Sequence, residues 1–192
     1  MKKTVAILSA LFVLISAVSA FAELDKTYKS TEVNADGSVR FRVNIPYALQ
    51  YMKERSELIA KQIPTEKSKL KTKKLWEKFH HYTNAISIIN KNPKIKKICV
   101  FGAFNSWITF SSDIPNILIP SSKNKDTWYT PTNSTITGVK KGDTILYKFV
   151  IDLGVSYVDG LGKPQEYIYV EDPLNADITD DGFDGYNSKL KY

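Results

Sequence analysis

A stripe of helical period, set inside a chain that otherwise reads as strands, constrains this sequence most. Leu75, Phe79, Tyr82, Ile86 and Ile89 are spaced 4, 3, 4 and 3, which puts them on one face of a helix. Leu49, Met52, Ile59 and Ile63 form a second stripe ahead of Pro64. With Pro46 before and Pro93 after, the pattern predicts a helical hairpin over about 49–92. Its halves separate near Pro64 and Thr65, and Thr65 is the expected N-cap of the second half. On either side the period falls to that of strands. Val39-Arg40-Phe41-Arg42-Val43-Asn44-Ile45 alternates apolar and polar residues after an Asp36-Gly37 turn. Short strands are expected again over Ile95 to Phe101, around Trp128, over Ile145 to Asp152 and over Tyr167 to Val170. Turn clusters such as Lys140-Lys141-Gly142-Asp143 and Asp159-Gly160-Leu161-Gly162 divide them. The expectation is a mainly β chain, an antiparallel β-sandwich interrupted by a basic helical hairpin.

The N-terminus predicts export. Lys2 and Lys3 precede an apolar run from Val5 to Val18, which closes on the small-x-small triplet Ala20-Phe21-Ala22. This is the pattern of a secretory signal peptide over 1–22, and a run of that length is too short to cross a ~30 Å hydrocarbon core. Residues 23–192 then form one domain, periplasmic or secreted, with no transmembrane segment after cleavage. That length falls well short of the ~250 residues of a (β/α)₈ enzyme barrel. Cys99, between Ile98 and Val100, is the one cysteine of the chain, so no intramolecular disulfide can form; it is expected to act as a small buried apolar side chain.

The net charge of +7 is unevenly distributed. Residues 51–97 carry thirteen basic and four acidic side chains, whereas residues from 165 onward carry seven acidic and two basic ones. Two readings of the hairpin follow: a solvated helix face balanced by the acidic tail, or a contact surface for an anionic envelope component or a partner protein. No nucleic-acid partner is expected.

Signatures of catalysis are missing. No Gly-x-Ser-x-Gly and no phosphate loop occurs, and His80 and His81 are adjacent on the lysine-rich helix without a triad or ligand set, so both are expected on its surface. Asp177, Asp181 and Gly182 match positions 1, 5 and 6 of a calcium loop, but Thr179 and Ser188 stand where position 3 and the bidentate Glu belong. The segment is therefore read as an acidic turn. No metal, no cofactor and no enzymatic activity are expected.

Sugar rings offer flat C–H faces with hydroxyls at the rim, and they are recognised by exposed aromatic rings beside a few polar groups. Such groups recur in order: Phe101-Gly102-Ala103-Phe104-Asn105-Ser106-Trp107, Tyr147-Lys148-Phe149-Val150-Ile151-Asp152, Tyr169-Val170-Glu171-Asp172-Pro173 and Tyr186-Asn187-Ser188. Together with Trp128 and the strand Ser38 to Val43, they resemble carbohydrate-binding module family 48. That family includes the glycogen-binding domain of the AMP-activated protein kinase β subunit and the early-set domains of isoamylases and branching enzymes. The resemblance covers about residues 94 to 190 and implies an immunoglobulin-like (early-set) sandwich that binds an α-glucan or related envelope glycan. It carries the family's first platform Trp to Trp107, its sugar-binding Lys to Lys148 and its terminal Asn to Asn187. The second platform Trp is missing, and Tyr169 holds the equivalent distance before Asp172-Pro173. Two segments depart from the family pattern: the helical hairpin and an extra hairpin from Leu153 to Glu166. The alternative is a scaffold or protein-interaction module of the same fold. Burial of both Trp107 and Tyr169 would favour it.

Overall fold

The computed structural model describes residues 29–34, 37–110, 116–131, 140–159, 162–183 and 185–192. The expected signal peptide lies outside them, as do Asp36 of the first turn and Gly160-Leu161 of the later one. The chain is mainly antiparallel β: nine strands in one curled sheet, with two helices inserted after the second strand. The strands are β1 (Thr31–Val33), β2 (Val39–Asn44), β3 (Lys97–Gly102), β4 (Ile117–Pro120), β5 (Thr127–Tyr129), β6 (Thr144–Val158), β7 (Pro164–Val170), β8 (Ile178–Asp180) and β9 (Tyr186–Lys191). Helix α1 spans Ile45–Gln62 and α2 spans Lys69–Lys91.

The sheet runs β1-β2-β5-β4-β3-β6-β9-β8, with β7 also on β6. Two strands are shared along their length. Ile117 and Leu118 of β4 pair with β3, while its Ile119 and Pro120 pair with β5. Strand β6 gives one edge to β3; on the other it pairs with β9 through Thr144 to Tyr147 and with β7 from Phe149 onward. The curl brings β2 against β6: the Phe41 ring lies 4.9 Å from Tyr147 and 6.4 Å from Phe149. The core continues from these rings into the helices through Met52, Ile59, Phe79, Tyr82, Ile86 and Ile89.

The hairpin begins earlier than the strand pattern predicts. Asn44 ends β2 and caps α1, its Oδ1 accepting from the Tyr47 N–H at 3.2 Å, and Pro46 occupies the first turn, where its missing N–H costs nothing. Ile45 is thus the first helical residue rather than the last of a strand. The expected cap at Thr65 is also displaced. Thr65 sits in a short 3₁₀ turn, Ile63–Thr65, with its hydroxyl donating to the Gln62 carbonyl, and Ser68 Oγ accepts from Lys71 N–H at the start of α2 instead. At the other end Asn92 N–H bonds the Ile88 carbonyl at 2.9 Å, and Pro93 stops the helix. Strand β6 runs through the expected break at Asp152, so the extra hairpin over Leu153 to Glu166 is an extension of β6 and β7, with a register irregularity between Asp152 and Tyr157.

The acidic tail and the basic hairpin meet at specific pairs. Lys78 of α2 is only 3% exposed, and its Nζ donates to the Gly185 carbonyl at 2.6 Å and pairs with Asp180 at 3.2 Å. His81, expected on the helix surface, is buried, and its Nε2 donates to the Tyr169 carbonyl at 2.8 Å. Docking of α2 on β7 reverses that expectation. His80 does remain exposed, stacked on Trp76.

Candidate functional site

Alternation along β6 sends Tyr147, Phe149 and Ile151 into the main core and leaves Lys148 and Val150 on the opposite face. Register then assembles that face. Phe101 of β3 lies opposite Lys148, Cys99 opposite Val150, and Tyr169 of β7 opposite Val150 on the other side. The result is a small second cluster of Cys99, Phe101 and Val150, partly covered by Phe110, Tyr167 and Tyr169. Burial pushes the Cys99 thiol up to about 12, so it is packed and unreactive.

The turn after β3 explains the Gly-x-Phe-Asn-x-Trp sequence residue by residue. A Cβ on Gly102 would lie 2.1 Å from the Leu146 carbonyl oxygen, so only glycine lets β3 approach β6 here. Phe104 turns inward and stacks on Phe41 at 5.9 Å. Asn105 ties the loop, its Oδ1 accepting from Gly102 N–H at 2.9 Å and its Nδ2 donating to the Ile108 carbonyl at 3.3 Å. Ser106 and Trp107 both adopt left-handed backbone conformations, φ 54° and 59°, a costly arrangement held by Trp107 N–H on the Gly102 carbonyl at 3.0 Å. The indole is thereby raised out of the sheet edge, 39% exposed and edge-on to Phe101 at 5.2 Å. Phe101 in turn lies 5.6 Å from Tyr169.

These rings border a cavity of about 480 Å³ lined by Phe101, Trp107, Lys148, Tyr169, Asp181, Phe183 and Asn187. All four residues singled out in the sequence line it. Trp107 is exposed, Tyr169 half-buried, and Lys148 and Asn187 buried apart from the cavity wall. Lys148 Nζ is fixed by a close ion pair with Asp181. Burial on its own raises the Asp181 carboxyl pKa, but the ammoniums of Lys148 and Lys78 and the Phe183 N–H outweigh it and hold it below the ordinary value. Asp181 stays ionised and Lys148 stays anchored. The Asn187 amide oxygen is buried and has no hydrogen-bond partner among the described residues.

Three lining residues were not among the expected site residues, although Phe101 opens the first aromatic group and Asp181 belongs to the acidic turn. Phe101 reads as one more apolar residue of a strand. Asp181 and Phe183 come from the β8–β9 turn, where Asp181 Oδ1 accepts from Phe183 N–H at 2.7 Å. Phe183 is 78% exposed, and an aromatic ring in the acidic turn Asp181-Gly182-Phe183-Asp184-Gly185 was the available signal. The calcium-loop residues are engaged by lysines, Asp181 by Lys148 and Asp177 by Lys189 at 2.5 Å. Among the described residues no group of His, Cys, Asp and Glu is arranged to hold a metal ion, and no helix is long and apolar enough to cross a membrane.

The turn is held from behind by the helical hairpin through Lys78, which bonds Gly185 and Asp180 and lies over the Tyr186 ring at 4.3 Å. A Cβ on Gly185 would lie 3.2 Å from Lys148 Nζ and 3.1 Å from Asp181 Oδ2, so the ion pair packs tightly against this glycine. Compared with family models, curated proteins and solved structures, the chain matches none.

Proposed function

We propose that this chain is a non-catalytic, exported carbohydrate-binding module for an α-glucan of glycogen or starch type, or a related envelope glycan, built on an immunoglobulin-like early-set sandwich. One observation carries the reading: Trp107, Lys148, Tyr169 and Asn187, drawn from four separate segments, line a single cavity whose walls alternate ring faces with fixed polar groups. Trp107 and Tyr169 supply faces for C–H stacking, while Lys148 and the Asn187 side chain supply polar groups on the cavity wall for hydroxyls. Phe183 adds a third ring, and its exposure would be relieved by a bound sugar. Export rests on the pattern of residues 1–22. Trp107 is exposed and Tyr169 half-buried, so the burial of both rings that would favour the scaffold alternative is not met.

Affinity electrophoresis in glycogen-containing gels tests the reading. The wild-type chain should be retarded, and Trp107→Ala should lose about 1 to 3 kcal/mol of binding, by analogy with base–aromatic stacking, while keeping its melting temperature. Retardation that survives the substitution overturns the assignment.

A further inference from the structure

A second cavity of about 360 Å³ adjoins the first, and Phe183 lines both. Its other walls are Gly182 beside Phe183, Lys74 and Glu77 of α2, and Asp159, Lys163 and Gln165 of the β6–β7 extension. These are the two segments that depart from the family pattern, and here they face one another. They are also tied together: Asn84 Nδ2 of α2 donates to the Val158 carbonyl at 3.2 Å. Within the extension's wall the Asp159 carboxylate accepts from Lys163 N–H and Gln165 Nε2, both at 2.8 Å, which ties the described residues on the two sides of the hairpin together.

We propose that this cavity is a second subsite, taking further sugar rings of the same oligosaccharide chain that occupies the first. The inference rests on the carbohydrate reading above and extends it from single sugars to chains. Charge decides the ligand class. Two ammoniums stand beside two carboxylates, so a polyanion would be repelled as much as attracted, whereas a neutral polyol, whose hydroxyls both donate and accept, can use both kinds of group. Phe183 is the element that makes one site of two cavities: it lines both and is 78% exposed, and a chain passing over it would cover that ring.

The test is titration calorimetry of the purified chain with maltotriose and with maltoheptaose. The longer sugar should bind about tenfold or more tightly, and Lys74→Ala combined with Lys163→Ala should remove most of that gain while leaving maltotriose unchanged, since two hydrogen bonds to charged groups are worth at least that factor. Both lysines are exposed, so the variant should fold as the wild type does. Equal affinities for the two sugars, or a heptaose affinity untouched in the double variant, would overturn the second subsite and leave the first intact. Failure of the wild-type chain to bind either sugar would overturn the carbohydrate reading, and the subsite with it.

Discussion

The two faces of β6 are made by one alternating strand and end in opposite states. On the inner face Tyr147, Phe149 and Ile151 are sealed between β2 and the helical hairpin. On the outer face Val150 is buried as well, but Lys148 borders a cavity, and around them are rings set at angles to one another and the ion pair that joins Lys148 to Asp181 of the distant β8–β9 turn. Those three inner-face side chains are fully buried. The outer face keeps a cavity because its coverings, Trp107, Tyr169 and Phe183, are each held in place by backbone contacts rather than by packing on all sides. A strand pattern alone therefore identifies which residues share a face, and the loops decide which face stays open.

Substitutions on the two faces should separate these roles. The largest loss of stability is expected from Phe149→Ala, about 4 kcal/mol for a fully buried ring removed from a core that cannot collapse around it, read by urea unfolding. Lys148→Met should come next, at about 3 kcal/mol, because it leaves Asp181 ionised and unpaired in a site where both side chains are under a tenth exposed. Adding Asp181→Asn should then recover much of that loss. No recovery would show that Lys148 acts through packing of its stem rather than through the pair.

Two carboxylates sharpen the comparison by titrating in opposite senses. Burial raises the Asp172 carboxyl despite hydrogen bonds from Ser30 and Tyr147, whereas the lysines and turn N–H groups lower that of Asp181. The raised group stabilises the fold most below the unfolded value of about 3.9 and loses that contribution as pH rises through its folded value. The lowered group stabilises above about 3.9 and loses its contribution as pH falls through its folded value. Unfolding free energies of Asp172→Asn and Asp181→Asn measured from pH 3 to 7 should accordingly show the cost of the first shrinking with pH and the cost of the second growing; parallel profiles would contradict the contrast. Smallest of all, replacing the exposed Lys69, Lys71 and Lys73 with Gln should change stability by no more than about 0.5 kcal/mol. The same variant settles whether that face holds anionic surfaces. Retention of the wild-type chain on anionic vesicles at low salt, abolished in the variant, would mark a contact surface, and absence of retention would leave a solvated face.

What the sequence made legible was local. The stripe from Leu75 to Ile89 needed only its own period, and Phe79, Tyr82, Ile86 and Ile89 are buried as that period implies. The Gly102 to Trp107 segment stood out by its aromatic residues, and the hydrogen bonds that shape it into a turn all close within a few residues. Lys78 and His81 were not legible, because a charge run looks solvated until a distant turn and a distant carbonyl are brought to it. Asp181 and Phe183 failed in the same way, since nothing near them in the chain announces Lys148 or Trp107. The short strands β1, β4 and β8 carry too few residues for a period to show.

The junction at Asn44 carries a consequence for the order of events during folding. Its side chain caps α1 and also donates to Thr127 Oγ1 at 3.0 Å, a partner 83 residues away. Helices close quickly because their contacts are near neighbours, whereas bringing β2 to β5 must first close a loop that includes the whole hairpin. The cap can therefore nucleate α1 long before its second bond exists, and a refolding chain should gain helical circular dichroism ahead of the slow step in which β5 docks and the curl of the sheet is completed.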